Sequence, residues 1–453
     1  MSGNVIIVGS GPGGYKSAVY ASELGFNVKL IEMSEDVGGV CTNRGCIPSK
    51  ALLSIAETID DINGSRRKGI TASLDDIDLK KIQSVKERAV RTSRKGIMNQ
   101  LNKDNIELIK GEGKILDGNI VEVEGERYDA DYIIIATGSE PIVIPGLEVD
   151  EEDILTSKGA LELDEIPDSM VVIGGGYVGL ELAFVFSSLG SKITIVEMMG
   201  SILPNMDEDI AEEMGNILKR KRIKVITGSK VSSVEKKEEK DGYEVTVEGE
   251  KEKIIDVEKV LCAVGRKPTP PETDLDIIGD HGEIITNDHM ETPIKGIYAV
   301  GDVNGKMMLA HAAYKQAEIA VKNIDGGETK GFSEYLVPAG VYTHPEAASV
   351  GLTEEEARER YEQIDIGQYP ISASGRGYST GNRSGIAKVI ASDQNIVGVH
   401  LVCPGATDII MEGVSAMESG IGLLGLSDII HPHPTYSEAL QKAAEDAILD
   451  GDK

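Results

Sequence analysis

The sequence contains no tryptophan and only four phenylalanines among its 453 residues. Proteins that bind single-stranded nucleic acid commonly stack bases on aromatic side chains, so this mode of recognition is disfavoured. The apolar fraction of 40% is nevertheless ordinary for a folded protein. We therefore expect cores built from aliphatic side chains, and at about 150 residues per domain the length predicts about three domains.

Cysteine is also scarce, with four residues in the whole chain. Small secreted domains that depend on disulfides carry a far higher proportion, so a scaffold of that class is excluded. Cys262 and Cys403 lie in apolar runs and are expected in the core, whereas Cys41 and Cys46 lie close together. The close pair predicts redox chemistry in a reducing compartment, and we expect a cytoplasmic protein.

Basic residues are outnumbered by acidic ones, 46 to 76, which gives a formal net charge of −30. A phosphate backbone would be repelled by such a chain, so we expect no nucleic-acid partner. The excess of acidic residues is equally compatible with binding to a basic partner protein and with a cytoplasm of high salt concentration. The charge alone does not decide between these two explanations.

Long apolar runs are lacking too. The most apolar window, residues 170–190, is interrupted by five glycines and by Glu181, so it predicts a strand, a turn and a helix and not a membrane span. Met1 is followed almost at once by the predicted strand at residues 4–8, which leaves no space for an export signal. We expect the mature protein to start there.

What the sequence does contain is an internal repeat. Each copy is an apolar strand, a Gly-x-Gly-x-x-Gly loop, a helix and a second strand that ends in glutamate, with the same spacing from the first glycine to the acid. The glycines and acid are Gly9, Gly11, Gly14 and Glu32 in the first copy, and Gly174, Gly176, Gly179 and Glu197 in the second. The pattern predicts two βαβ units of one design.

Such a loop brings backbone amides close to a pyrophosphate at a helix N-terminus, and the acid can bind a ribose diol. A single loop is equally compatible with a simple tight turn, whereas two matched copies predict two dinucleotide sites. Glu197 is followed by Met198 and Met199, with no arginine or lysine to hold a 2′-phosphate. The second site is therefore predicted to prefer NAD over NADP.

The rest of the chain supplies further elements. Between the repeats, residues 59–110 show long helical periodicity and residues 115–128 predict short alternating strands. The apolar runs at 132–138 and 261–265 predict buried parallel strands that end in small-residue turns. From residue 335 onward, alternating strands and amphipathic helices predict a separate α+β domain. Its predicted helices cover 353–361, 407–419 and 436–448, and its predicted strands cover 387–390 and 396–402.

The segment from Cys41 to Lys50 follows the first repeat directly. If Cys46 opens a helix, its thiolate is stabilised by the helix N-terminus, and Lys50 lies one turn later on the same face. A cation beside a thiolate near a bound cofactor predicts a redox site. The alternative is two unpaired core cysteines, which the glycine-flanked, polar surroundings disfavour.

Two more segments carry candidate site residues. The apolar strand at 296–300 ends in Gly301-Asp302, which places a carboxylate at the ligand-binding edge of a sheet; the alternative is a turn-forming aspartate. Near the C-terminus, His433 precedes Glu438 at the start of a predicted helix, so the carboxylate can orient the imidazole for acid–base catalysis. The alternative is that the histidine segment forms a turn with a purely structural role. The histidine and cysteine spacings do not predict a metal site.

Together these motifs resemble the flavoprotein disulfide reductases, a pyridine nucleotide-disulfide oxidoreductase family, and within it most closely the enzymes that oxidise dihydrolipoamide. The resemblance extends over essentially the whole chain and is most specific at the two cysteines and at the His-Pro-Thr segment. The matching segments, in order, are the Gly9 loop, 38–50, 136–138, the Gly174 loop, 263–266, 301–302 and 431–438.

The resemblance implies an α/β fold with two Rossmann-like dinucleotide-binding domains, one for FAD and one for NAD, and a C-terminal α+β dimerisation domain. It implies that residues 1–145 and 267–334 form the two parts of the FAD domain. Residues 146–266 would form the NAD domain, and residues 335–453 the interface of a homodimer.

It also implies roles for the site residues. Cys41 would be the interchange thiol that meets the substrate, and Cys46 the charge-transfer thiol beside the flavin. His433 would deprotonate the incoming thiol and Glu438 would orient it, with this pair supplied by the other subunit. Lys50 would lie beside the flavin and pair with Glu181. Further cofactor contacts would come from Ala136, Thr137, Gly138, Gly265, Gly301, Asp302 and Ala310.

The implied partners are lipoyl domains and the core of 2-oxoacid dehydrogenase complexes, or the glycine cleavage system. Arg44, Pro432 and Tyr436 depart from the residues expected at their positions, so contacts to the disulfide substrate are open. A glutathione-reductase-like enzyme and an acidic docking subunit are the alternatives. The Ile-Pro-Ser-Lys ending of the cysteine segment and Glu197 disfavour the first of these.

Overall fold

The computed structural model of the chain describes residues 3–103, 105–117, 119–238 and 241–451. Met1, where the mature protein is expected to start, and the predicted domain limits at residues 1 and 453 lie outside the described residues. Within the described ranges, no helix is both long enough and apolar enough to cross a lipid bilayer.

The strands, in chain order, are β1 Asn4–Val8, β2 Asn27–Glu32, β3 Ile106–Lys110, β4 Gly113–Asp117, β5 Ile120–Val123, β6 Glu126–Asp129, β7 Tyr132–Ile135, β8 Ser139–Pro141, β9 Ile154–Leu155, β10 Ser169–Ile173, β11 Lys192–Val196, β12 Lys224–Ile226, β13 Lys230–Lys236, β14 Tyr243–Glu248, β15 Lys253–Val257, β16 Lys259–Cys262, β17 Arg266–Pro268, β18 Ile297–Ala299, β19 Ala339–Val341, β20 Glu346–Gly351, β21 Asp365–Pro370, β22 Ile386–Ser392 and β23 Asn395–Cys403.

The α-helices are α1 Pro12–Glu23, α2 Gly39–Arg44, α3 Cys46–Gly64, α4 Leu79–Leu101, α5 Ser157–Glu162, α6 Tyr177–Leu189, α7 Glu208–Arg220, α8 Ala310–Ile324, α9 Glu354–Arg360, α10 Gly375–Thr380, α11 Ala406–Ser419, α12 Leu423–Asp428 and α13 Glu438–Gly451.

The first compact unit comprises Met1–Leu52, Lys80–Ile142 and Gly265–Glu334. Its main sheet has the order β18-β7-β1-β2-β3, and all neighbouring strands run parallel. β7 is apolar at successive positions because a strand of a parallel sheet is covered on both faces. The loops at the carboxyl ends of β1, β7 and β18 therefore meet at one edge, where ligands bind in this architecture.

The second compact unit comprises Leu53–Leu79, Val143–Val264 and Tyr335–Lys453. One parallel sheet has the order β12-β11-β10-β16-β9 and repeats the design of the first unit around the second glycine loop. A second, antiparallel sheet has the order β19-β20-β23-β22-β21. Helices α11, α12 and α13 cover an aliphatic core on that sheet.

Both βαβ units and the C-terminal α+β fold follow the sequence prediction closely. The interval 59–110 follows it in part: the end of α3 and the whole of α4 confirm the helical period, but no helix or strand occupies Gly69–Asp78 and β3 covers the final residues. Gly69 caps a short 3-10 turn with a φ of 78°, and the polar stretch after it is exposed, so the helical period breaks there. The four-part division of the chain into domains stays a prediction.

Candidate functional site

The first glycine loop connects β1 to α1. Gly9 has a φ of +99°, and a Cβ on it would lie 2.4 Å from the Ala136 carbonyl oxygen; a Cβ on Gly14 would lie 1.8 Å from the Gly9 oxygen. At Gly11, by contrast, the nearest atom to an added Cβ is the Gly39 Cα at 3.9 Å. Two glycines are thus required by close packing, while the middle one leaves the open side that a pyrophosphate needs.

The helix N-terminus behind this loop is available for an anion. Gly11 is the N-cap of α1 and provides no side-chain cap, and Pro12 occupies the first turn. The backbone N–H groups of that turn are the positive end of the helix dipole. The predicted ribose ligand Glu32 accepts hydrogen bonds from the Ser10 and Ser34 N–H groups at 2.8 and 2.7 Å.

The second loop repeats this geometry in the second unit. Gly174 has a φ of +105°, and a Cβ on Gly179 would lie 2.1 Å from the Gly174 oxygen, whereas a Cβ on Gly176 would meet nothing within 4 Å. The carboxylate of Glu197 accepts the Gly175 N–H at 2.6 Å and the Met199 N–H at 2.7 Å. Both loops therefore fit a dinucleotide.

At the sheet edge of the first unit, the segment after β7 adds further groups. The hydroxyl of Thr137 is buried and has no hydrogen-bond partner among the described residues, which suits contact with a cofactor. Asp302 lies in a 3-10 turn after β18 and accepts a hydrogen bond from the Ser139 hydroxyl. The Arg266 guanidinium donates to Ser139 Oγ at 2.7 Å and lies 3.8 Å from Asp302.

The other predicted contacts of this edge stay predictions, and the structure gives their local surroundings. Gly301 donates its N–H to Gln316 at 2.7 Å, and Ala310 is the first residue of α8. Ser139 and Gln316 are functional candidates that sequence reasoning missed. Ser139 directly follows the small-residue turn at Gly138, and this position in the sequence is the local signal that could have identified it.

The cysteine pair is held by two short consecutive helices of the first unit. Cys41 lies in α2, Gly45 separates the helices, and Cys46 is the first residue of α3, as predicted. The thiols are close enough to hydrogen-bond, and this bond, together with burial, raises the pKa of Cys41, which Lys50 opposes. The two sulfurs thus lie together at a helix N-terminus with a cation nearby.

A pair of tyrosines near the cysteines was not predicted. The hydroxyls of Tyr15 on α1 and Tyr314 on α8 are 3.0 Å apart, and the rings meet edge to face. Burial raises the pKa of both phenols, and the negative charge of a Cys41 thiolate would raise it further. Because the two residues lie far apart in the sequence and follow no motif, no local signal pointed to them.

In the second unit, His433 and Glu438 form the predicted dyad. His433 Nδ1 lies 2.8 Å from Glu438 Oε1, and the other carboxylate oxygen accepts the Thr435 N–H at 2.7 Å. Burial opposes ionisation of Glu438, but these hydrogen bonds lower its pKa overall. The side chain of His433 is 74% exposed, so its Nε2 is accessible to a thiol.

Glu181 is buried on α6 and accepts the Tyr342 N–H at 3.1 Å. Its predicted pairing with Lys50 stays a prediction. Cys262 and Cys403 are buried in the cores, as expected, and burial raises the pKa of Cys403 to about 12. Arg44 is exposed at the end of α2.

Comparison with known proteins gives full-length matches. Residues 3–317 match the family described as pyridine nucleotide-disulphide oxidoreductase, and residues 337–444 match the dimerisation domain of that family. A dihydrolipoyl dehydrogenase from Thermus scotoductus is 41% identical, with 98% of this chain and 96% of the relative covered. The dihydrolipoyl dehydrogenase of Bacillus subtilis is 36% identical, with 97% of each chain covered.

Solved structures agree in fold. The HOCl-induced flavoprotein disulfide reductase RclA from Escherichia coli is 28% identical with a TM-score of 0.86, and 98% of this chain and 99% of that chain are covered. LpdA from Mycobacterium tuberculosis is 24% identical with a TM-score of 0.90 and the same coverage, which shows the fold alone. The predicted fold class is confirmed by these matches.

Proposed function

Because the chain belongs to the pyridine nucleotide-disulphide oxidoreductase family, whose members are flavoprotein oxidoreductases that use FAD and NAD(H), we propose that it oxidises dihydrolipoamide to lipoamide and reduces NAD⁺. The observation that carries the proposal is the contact between the Cys41 and Cys46 thiols at the start of α3, in the unit that also holds the first glycine loop. The match to the dimerisation domain supports a homodimer.

Each cofactor has a distinct place in the proposal. FAD is assigned to the Gly9 loop and NAD to the Gly174 loop, where the methionines after Glu197 offer no cation for a 2′-phosphate. When bound, FAD would accept the electron pair of the dithiol, and NAD⁺ would take it up as hydride. Thr137, Asp302 and the open side of Gly11 are the groups of this chain that would hold FAD.

The thiol chemistry is carried by the two cysteines in turn. With Cys41 and Cys46 joined as a disulfide, a substrate thiolate attacks the sulfur of Cys41, and Cys46 leaves as a thiolate. The second substrate thiol then displaces Cys41, so the S–S bond of lipoamide forms as the mixed disulfide breaks. Two electrons pass to the protein dithiol, and the substrate loses two protons.

His433 takes the first of those protons. A carboxylate only accepts hydrogen bonds, so the contact with ionised Glu438 places the ring proton on Nδ1 and leaves a lone pair on Nε2. The lowered pKa of Glu438 keeps this carboxylate charged and the tautomer fixed. In a homodimer of this family the histidine would act on the cysteines of the partner subunit.

The test is steady-state turnover of the purified protein with free dihydrolipoamide and NAD⁺, followed as NADH absorbance. Cys46→Ser should retain flavin colour but lose turnover. His433→Gln should slow it by about two to four orders of magnitude, the usual effect of a positioned acid–base group. His281→Gln, at an exposed histidine of the first unit, is the matched control and should turn over normally.

The outcome also separates the alternatives. Faster turnover of glutathione disulfide with NADPH would favour a glutathione-reductase-like enzyme. A colourless protein that only binds the core of a 2-oxoacid dehydrogenase complex would favour an acidic docking subunit. The proposed carriers of the substrate are lipoyl domains of such complexes or of the glycine cleavage system. Exposed Arg44 is a candidate contact to an acidic carrier domain. A cytoplasmic location suits the reactive thiols.

A further inference from the structure

A second histidine–carboxylate pair lies next to the proposed catalytic dyad in the second unit. His431 Nε2 is 2.7 Å from Glu412 Oε1 on α11, and His431 Nδ1 is 2.9 Å from the Ile429 carbonyl oxygen. The side chain of His431 is 4% exposed, against 74% for His433. The two histidines are two residues apart, yet one is enclosed and the other is accessible.

The partners of His431 constrain its protons. A carbonyl oxygen accepts only, and so does an ionised carboxylate, whereas a neutral imidazole supplies a single N–H. Both contacts are therefore satisfied together when Nδ1 and Nε2 each donate an N–H. A hydrogen bond that an ionised carboxylate accepts is shorter and stronger than one between neutral groups.

The pair fixes the backbone that carries His433. α12 ends at Asp428 and α13 begins at Glu438, so the connecting loop depends on side chains for its position. At its far end, Thr435 donates its N–H to Glu438 and its hydroxyl to the Pro432 carbonyl oxygen at 2.8 Å. At its near end, the contact of His431 Nε2 with Glu412 attaches the loop to α11, and the contact of Nδ1 with the Ile429 carbonyl oxygen orients the ring.

Electrostatics act in the same direction. A positive charge on His431 would lower the pKa of Glu438 further, after the hydrogen bonds from His433 and Thr435. Glu412, whose side chain is 25% exposed on α11, lies 2.7 Å from the ring and would balance that charge.

We propose that His431 and Glu412 are positioning residues for His433: they hold the loop so that the Nδ1 contact with Glu438 forms and Nε2 faces the substrate thiol. This inference rests on the proposed function, in which His433 is the base. A displacement of about 1 Å at a reacting group can cost about 100-fold in rate, so a structural contact two residues away is sufficient to control turnover.

The test compares two substitutions of Glu412. Glu412→Leu removes the acceptor and should lower kcat for dihydrolipoamide by about 10- to 100-fold with KM changed less than threefold. Glu412→Gln retains a carbonyl oxygen toward Nε2 and should recover kcat to within about threefold of the unchanged protein. Asp408→Asn, one turn earlier on α11 at an exposed carboxylate, is the matched control and should leave kcat unchanged.

A second reaction separates positioning from general damage. Reduction of a one-electron dye by NADH needs both cofactors but no thiol deprotonation, so Glu412→Leu should retain it. Equal losses in both reactions, or normal dihydrolipoamide turnover in Glu412→Leu, would overturn the inference. Failure of the unchanged protein to oxidise dihydrolipoamide would count against the proposed function instead.

Imidazole NMR provides a readout that does not depend on turnover. In protein labelled with ¹⁵N-histidine, the Nδ1 proton of His433 should carry the signature of a hydrogen bond to a carboxylate. Glu412→Leu should weaken that signature, and Glu412→Gln should restore it. An unchanged His433 signal in Glu412→Leu contradicts a positioning role.

Discussion

The two glycine loops share one backbone design but differ in what they are attached to. In the first, the Ser10 hydroxyl lies 2.5 Å from Glu32 and accepts the Gly38 N–H at 3.2 Å, so loop, acid and cysteine segment form one network. In the second, Gly175 has no side chain, and a Cβ there would lie 3.0 Å from the Ile202 side chain. The same glycine spacing is therefore attached differently to its surroundings in the two units.

The attachment is tight in the first unit. A Cβ on Gly39, the first residue of α2, would lie 2.6 Å from the Gly11 Cα, so the helix that carries Cys41 rests directly on the dinucleotide loop. After the second loop, the chain instead presents exposed Met198 and Met199. In the proposed assignment, the first unit would hold FAD beside the cysteine segment, and the second would bind NAD at a more open site.

The largest predicted effect tests whether the loops serve different cofactors. Gly14→Ala and Gly179→Ala each place a methyl group within about 2 Å of a backbone oxygen, a contact that cannot be relieved without moving the loop. We expect Gly14→Ala to purify without flavin absorbance. Gly179→Ala should retain the flavin and show weaker NAD⁺ binding than the unchanged protein by calorimetric titration, because the loop must move to accept the methyl group.

Gly215→Ala on α7 is the control, because a Cβ there meets nothing within 4 Å. Alanine is favoured over glycine in a helix interior by about 0.5 to 1 kcal/mol, so this variant should bind both cofactors and unfold at a slightly higher temperature. Loss of the same cofactor from Gly14→Ala and Gly179→Ala would show that the comparison is wrong.

A smaller effect is predicted at the two acids. Glu32 and Glu197 are buried and each accepts two backbone N–H groups. Glutamine turns an NH₂ group toward one of those donors, and leaving a buried donor unpaired costs about 1 to 3 kcal/mol. Because Glu32 also receives the Ser10 hydroxyl, Glu32→Gln should destabilise more than Glu197→Gln.

Thermal unfolding of the protein without cofactors measures this difference. The matched control is Glu165→Gln at an exposed acid, which should change the free energy of unfolding by no more than about 0.5 kcal/mol. Equal costs for Glu32→Gln and Glu197→Gln would mean that the serine adds nothing to the first loop.

Periodicity and spacing sufficed to predict the parts of the molecule that are local in sequence. The glycine loops, the helix start at Cys46 and the contact of His433 with Glu438 all join residues close together in the chain, and each was found where the pattern placed it. Residues 59–110 show the limit of this reasoning, since a helical period does not reveal where exposed polar residues and glycine interrupt it.

Contacts between distant segments could not be predicted. The Tyr15–Tyr314 pair and the attachment of His431 to Glu412 depend on which helices become neighbours. The same holds for Lys388, fully buried on β22, whose amine contacts Asp207 at 2.8 Å and Glu354 at 2.8 Å. Such groups carry no spacing rule, and only the folded chain shows that their charges are paired.

The smallest predicted effect isolates the one side chain that distinguishes the loops. Ser10→Ala removes the hydroxyl from Glu32 and should cost about 1 kcal/mol, the usual net contribution of one hydrogen bond. In a double-mutant cycle, Glu32→Gln in the Ser10→Ala background should then cost no more than Glu197→Gln alone. If Glu32→Gln keeps its full cost without the hydroxyl, the stronger hold on the first loop comes instead from the backbone hydrogen bond between the Gly38 N–H and the Ser10 carbonyl oxygen and from the packing of Gly39 on Gly11, because these contacts join the loop to the cysteine segment without the serine side chain.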